Sequence, residues 1–279
     1  MTAPFVQTDN FDSDAHHFRV YEPVVQEDVE WLYPIAEEYI KLLTHHEAPL
    51  TMLKPVTSEA VMDLLTVQKY MRKASIPSYK KGNFNVVRSD FGELLCYMLL
   101  EKEYKTLFGV KSIFSRELRD AAGRGIDAIG IEMGDVLTLV LCEVKVSDEK
   151  PSPPRVVDYN EDCLSKQHRY HLAHLAEATK DKIWRAALRT RDEDVAELLM
   201  AAAIYLEEQE LDKLRIVVCN VLIRPKSKYT KADFGSFRTQ PVQYDPADIR
   251  FLIACVPDNV DVIIKEWYDV IQNIDEVSA

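Results

Sequence analysis

The chain has 279 residues, 47% of them hydrophobic, and carries 46 acidic against 34 basic side chains for a formal net charge of −12. That length and apolar content support a substantial core, and no run of eighteen apolar residues is present to cross a bilayer as a helix. Five cysteines without a Cys-x-x-Cys pair argue against a disulfide framework and a zinc knuckle, and the polar, acidic opening MTAPFVQTDNFDSDAHH predicts a cytoplasmic protein.

Residues 1 to about 24 read as an irregular or edge-strand arm around His17-Phe18-Arg19-Val20-Tyr21, closed by Pro23. Over 26–45, Val29, Leu32, Tyr33, Ala36, Tyr39, Ile40 and Leu43 recur at helical spacing, which predicts an amphipathic helix kinked at Pro34. A second helix is expected over 58–73, capped by Ser58. The segment 78–84 sets Lys80 and Lys81 among aromatic residues, and reads either as a phosphate contact or as a solvated turn. A helix over 94–104 follows, with Ser89 or Asp90 as its cap and Glu93 near its N-terminus, where the helix dipole favours an acid. Residues 111–118 alternate apolar and polar as a strand does, and Arg119, Arg124 and Gly125 form a basic loop directly before Asp127.

The stretch that organises the chain comes next, GRGIDAIGIEMGDVLTLVLCEVKVS over 123–147. Two apolar runs flank a Met133-Gly134-Asp135 turn, which predicts a hairpin. Strand periodicity puts Glu143 and Lys145 on one face, and a paired neighbour brings Asp127 beside them. Two carboxylates and an ammonium then meet at one edge of a sheet. Asp127 and Glu143 suit a hard divalent ion, Mg²⁺ or alternatively Mn²⁺, with the Val144 carbonyl as a third ligand and Lys145 placed to position a water and offset charge on a phosphate. The bland alternative is a solvated sheet face, but ionised groups inside a strand of Leu, Val and Cys are costly unless paired or metal-bound.

After the hairpin, KPSPP at 150–154 marks a loop, and a helical region is expected from about 160 to 189. His168, His171 and His174 drift around such a helix and are expected as polar residues of its surface. Lys180, Lys182, Arg185, Arg189 and Arg191 form a basic cluster that serves either as a DNA-facing strip or as a partner-docking face. A helix over 194–206 leads to LRIVVCNVLI at 214–223, a central buried strand, and then to the basic loop 224–231. A last strand over 249–256 and a helix capped at Asp258-Asn259 complete the chain. The expected division is an N-terminal arm and helical portion, 1–85, and an α/β core, 86–279.

Asp127 with Glu143-Val144-Lys145, sixteen residues apart from acid to acid, resembles the PD-(D/E)xK nuclease signature, with Ile126 where a Pro usually precedes the Asp. The resemblance implies a restriction-endonuclease-like core in which the helix before the hairpin sends an acidic residue to the metal, here Glu93. Lys166, Gln167 and Arg169, on the helix after it, are then candidates to position phosphate or water. FGELLCYMLLE, SRELRDAAGRGIDAIGIE and LVLCEVKVS together resemble the HamA nucleases of the Hachiman antiphage defence system. That likeness implies a DNA nuclease effector paired with a superfamily 2 helicase, HamB. An acidic total opposes unaided DNA binding, so a partner that delivers DNA agrees with the charge. The competing readings are a non-catalytic nuclease-fold adaptor for a helicase and a sequence- or junction-specific endonuclease.

Overall fold

The structure, a computed structural model, describes residues 4–25, 29–44, 64–77, 84–113 and 126–274. In chain order these form β1 (Phe5–Asn10), β2 (His17–Pro23), α1 (Leu32–Thr44), α2 (Leu64–Ser75), α3 (Phe84–Tyr104), β3 (Leu107–Phe108), β4 (Ala128–Glu132) and β5 (Leu137–Val146). There follow α4 (Arg155–Asp158), α5 (Leu164–Ala173), α6 (Lys180–Arg189), α7 (Glu193–Glu207), β6 (Leu214–Pro225), α8 (Gly235–Thr239), β7 (Asp248–Val256) and α9 (Val260–Asn273).

One seven-stranded sheet runs in the order β1-β2-β7-β6-β5-β4-β3. Strands β5, β6, β7 and β2 are mutually parallel, whereas β4 and β3 on one side and β1 on the other join antiparallel. The protein is thus an α/β fold with a mixed sheet flanked by helices, an architecture compatible with the expected nuclease-like core. β6 lies in the middle of the sheet and is buried along nearly its whole length, which is why its sequence is an almost unbroken apolar run.

The sheet separates two apolar layers. Val140 and Cys142 of β5 pack with α1, α3 and α9, through Leu32, Phe91, Leu95 and Trp267 among others. Leu139 and Leu141, one residue out of step, pack with Ile183 of α6 and Leu199 of α7. Alternation along β5 therefore aims Glu143 and Lys145 toward the second layer and Val144 and Val146 toward α3. At Gly92 the α3 backbone comes so near β5 that an added Cβ would stand 2.9 Å from methyls of both Val144 and Val146.

Several expectations are corrected. The 17–21 segment is no edge: β2 lies between β1 and β7, its parallel register running from His17↔Arg250 to Tyr21↔Ala254. The expected N-terminal portion 1–85 thereby supplies two strands to the sheet that the rest of the chain builds. Helix α1 starts at Leu32, so Pro34 falls in its first turn, where an N–H is not needed and no kink arises. Of the helix expected over 58–73, residues 58–63 lie outside the described residues, and α2 runs to Ser75. Helix α3 begins at Phe84, so Ser89 and Asp90 are interior rather than capping, and Asp90 is buried with Tyr39 Oη donating to it. Val86, Val87 and Phe91 extend its apolar face, which pulls the helix start toward the core. Residues 111–113 form a turn rather than a strand start, and 114–118 lie outside the described residues. The helical region 160–189 is broken at His174, where a π-helical turn, Leu175–Thr179, separates α5 from α6.

Candidate active site

The hairpin is present in the expected register. Ala128 pairs with Cys142 across β4 and β5, and one further step sets Asp127 opposite Glu143. The Val144 N–H donates to Asp127 Oδ2 at 2.8 Å, which fixes that carboxyl at the end of β4. Because the N–H and C=O of one strand residue point to the same edge, the Val144 carbonyl faces this end too.

Helix α3 closes the site from the opposite layer. Its close approach at Gly92 puts Glu93 on a cleft of about 260 Å³ that it shares with Asn85, Arg88, Ser89, Asp127, Val144, Lys145 and Val146. One turn further along α3, Tyr97 Oη donates to the Asp127 carbonyl at 3.4 Å and lies 3.0 Å from Ser112 Oγ, which in turn donates to Glu93. Glu93 therefore sits in the middle of a helix rather than at its N-terminus, but it does reach the cleft that Asp127 lines.

Glu143 is 1% exposed and lies behind the cleft wall rather than on it. Its Oε1 accepts a hydrogen bond of 2.8 Å from His171 Nε2 on α5. Burial first, then the charge of Lys182, hold the His171 imidazole down to about 4, so at neutral pH it is an uncharged donor. Sequence reading put His168 and His171 on the helix surface; both are buried. The signal was present: Leu164, His168, His171 and Leu175 form one stripe at helical spacing, so the histidines share the apolar face. Behind Glu143, His168 and Asn220 of β6 are fully buried, and neither the ring nitrogens nor the amide meets a partner in ordinary hydrogen-bond geometry.

Asp127 and Glu143 stand opposite each other at the ends of paired strands, close enough for each to shift the other's titration. Burial, then the charge of Glu143, pushes Asp127 up to about 7, against the pull of the Val144 N–H and Lys145. Burial likewise pushes Glu143 up to about 7, with Lys145, Asp127 and Lys182 acting the other way. With both groups ionised, Glu143 Oε2 is buried and receives no donor. Among the described residues, the ion-pair contact of Lys145 is a long one, 3.8 Å, to the largely exposed Asp162, so it is available to the cleft it lines.

A half-buried and a buried carboxylate, with an oxygen of the second lacking a donor, fit a hard divalent cation. Among the described residues no three His, Cys, Asp or Glu side chains form a ready-made cage. Mg²⁺ does not require one, since it usually keeps several waters beside one or two carboxylates.

The remaining expected residues are not brought to this place. Lys166 is exposed on α5, and Gln167 is half-buried one turn before His171. Arg169 bonds Gln243 Oε1 at 3.1 Å and lines a different cleft. Arg124, Lys80 and Lys81 lie outside the described residues, as do Arg119 and Gly125. Of the basic cluster, Lys180 is paired with Glu207, while Lys182, missed as a site residue, places its charge near Glu143 and His171.

Among the described residues no helix is long and apolar enough to cross a membrane. No curated protein matches the chain. A family model described as HamA matches residues 4–222, a span holding Glu93, Asp127, Glu143, Lys145 and His171 together with β1 to β5 and most of β6. The match covers well over half of the chain, which therefore belongs to the HamA family and is a component of the Hachiman defence system.

Proposed function

We propose that this protein is the metal-dependent DNA nuclease subunit of its defence complex, hydrolysing phosphodiester bonds and acting with a superfamily 2 helicase that restrains it and delivers DNA. The observation that carries the reading is the pair Asp127 and Glu143, opposite each other, with Glu143 buried and Asp127 half-buried on a cleft that also holds Glu93 and Lys145. Without a cation such a pair is unfavourable, which is the usual signature of a site kept for chemistry rather than for stability.

Asp127 and Glu143 would hold Mg²⁺ or Mn²⁺, with Glu93 and the Val144 carbonyl beside them. The bound ion would supply polarisation of a phosphate oxygen and a water of lowered pKa. Lys145, at the cleft, orients the attacking water and offsets negative charge as it grows on phosphorus. His171 fixes one oxygen of Glu143 and leaves the other directed to the pair. The acidic total charge supports a partner as the main source of DNA affinity.

The test is cleavage of supercoiled plasmid by the chain with and without the helicase encoded beside it, with Mg²⁺ and with EDTA, comparing wild type with Lys145→Ala. Metal-dependent cutting lost in the variant is expected. Cutting that survives Lys145→Ala, or none with any DNA in the intact complex, rejects the reading in favour of an adaptor that only uses the fold.

A further inference from the structure

On the opposite flank of α5 from His171 lies a larger cleft, about 780 Å³, lined by Tyr159, Arg169, Lys231, Arg238 and Gln243 among others. Its three cations come from separate elements: α5, the 3-10 turn Lys231–Phe234, and α8. In a chain of net charge −12 many basic side chains have carboxylate partners, as in Arg19–Asp12, Lys226–Glu22 and Arg215–Asp248. Arg169, Lys231 and Arg238 have none among the described residues. Arg169 meets only the neutral Gln243, and Lys231 and Arg238 both stand over the ring of Phe11, at 4.6 and 5.1 Å.

The one carboxylate on the wall makes no ion pair with them. Asp158 spends Oδ2 on the Ser236 N–H at 2.9 Å and Oδ1 on the Ser236 hydroxyl. Tyr159 beside it is 65% exposed, an aromatic face on the cleft with no packing role to explain it. Cations that line one cleft without carboxylate partners recognise phosphate, and an exposed ring next to them offers a stacking surface for a base.

We propose that this cleft is a second nucleic-acid site, which holds the phosphodiester backbone of a single strand on Arg169, Lys231 and Arg238 while Tyr159 stacks on a base. Residues 169 and 171 are about 200° apart on α5, so the cleft lies on the flank of that helix turned away from Glu143. The strand binding does not rest on the nuclease reading.

The test is fluorescence anisotropy of a labelled fifteen-nucleotide dT strand with the full chain in EDTA over a salt series, with a duplex of the same length and ATP as competitors. Combined Arg169→Ala, Lys231→Ala and Arg238→Ala is expected to weaken strand binding at least tenfold and to flatten the logarithmic salt slope by about two, at roughly 0.7 per lost phosphate contact. Tyr159→Ala is expected to weaken binding several-fold with the slope unchanged, and Lys213→Ala, whose ammonium is paired with Glu210 outside both clefts, to leave it within about twofold. Should the triple variant lose its melting transition, Arg238→Ala alone supplies the slope change, about 0.7. Wild-type affinity and slope in the triple variant overturn the site. ATP displacing the strand at equal phosphate concentration reassigns it to a free nucleotide and overturns the strand assignment. Loss of plasmid cutting with strand binding intact rejects only the nuclease reading.

Discussion

At one end of β4, Glu132 receives both arms of the Arg250 guanidinium, at 2.6 and 3.0 Å, with Tyr104 stacked on the arginine 3.5 Å from the ring centre and Thr106 donating to the same carboxylate. At the other end, five residues earlier, Asp127 faces Glu143, and the nearby cations Lys145 and Lys182 do not bring either carboxyl down to its ordinary range. Both ends take carboxylates out of water. The first gives each carboxylate oxygen at least one donor, as a structural ion pair must, while the second leaves Glu143 Oε2 with none. A single short strand therefore separates a compensated ion pair from carboxyls left short of partners.

The largest expected effect that sharpens this contrast is catalytic. Asp127→Asn, Glu143→Gln and Lys145→Ala are each expected to lower plasmid cleavage at least about 10³-fold, as losses of metal ligands or of charge stabilisation do. Glu132→Gln, at the compensated end, should leave the rate per folded molecule nearly unchanged. Equal losses at both ends would erase the distinction. Next is Arg250→Met, which strands Glu132 without its partner and is expected to cost about 3–5 kcal/mol, read by urea denaturation. A negligible cost would mean that the Glu132 end is not the stabilising one.

A smaller effect has a sign that separates the two ends directly. Asp127 and Glu143 have folded values near 7, above their unfolded values near 4. The native state holds these protons longer, so the associated stability is present below about pH 4 and is lost as pH rises through about 7. Without metal, Asp127→Asn is therefore expected to raise stability by on the order of 2 kcal/mol at pH 8 and not at pH 4. Added Mn²⁺ should reverse that order at pH 8 by stabilising wild type alone. Thermal melts with EDTA or Mn²⁺ decide it, and an Asp127→Asn protein less stable at pH 8 without metal would contradict the account. The smallest is His171→Leu, expected to weaken Mn²⁺ binding about tenfold by calorimetry, in the range found when a residue supporting a metal ligand is removed.

The hairpin and the placing of its charged residues were legible because strand periodicity is a local rule: Glu143 and Lys145 share a face whatever the rest of the chain does. The same holds for β6, whose apolar run marks a strand covered on both sides, and for the cap of α9, where Asn259 accepts from the Asp261 N–H. What was not legible depends on distant partners. Ser89 and Asp90 look like a helix start until Tyr39, fifty-one residues away, gives Asp90 a buried donor. His171 looks like a polar surface residue until Glu143 is packed beneath it. The insertion of β2 beside β7 joins segments more than 200 residues apart, beyond the reach of any local pattern.

That the cleft lies on a seam between two layers has a consequence for synthesis. Glu93, Asp127, Glu143 and Lys145 all leave the ribosome before β6, yet β6 is the strand that pairs with β5 along its whole length and gives it a neighbour on its other side. A nascent chain that ends short of Leu214 carries every acid of the site but not the framework that aligns them. Under the proposed nuclease function, chain order is then a built-in delay: the acids acquire their alignment late, when most of the polypeptide has already been made.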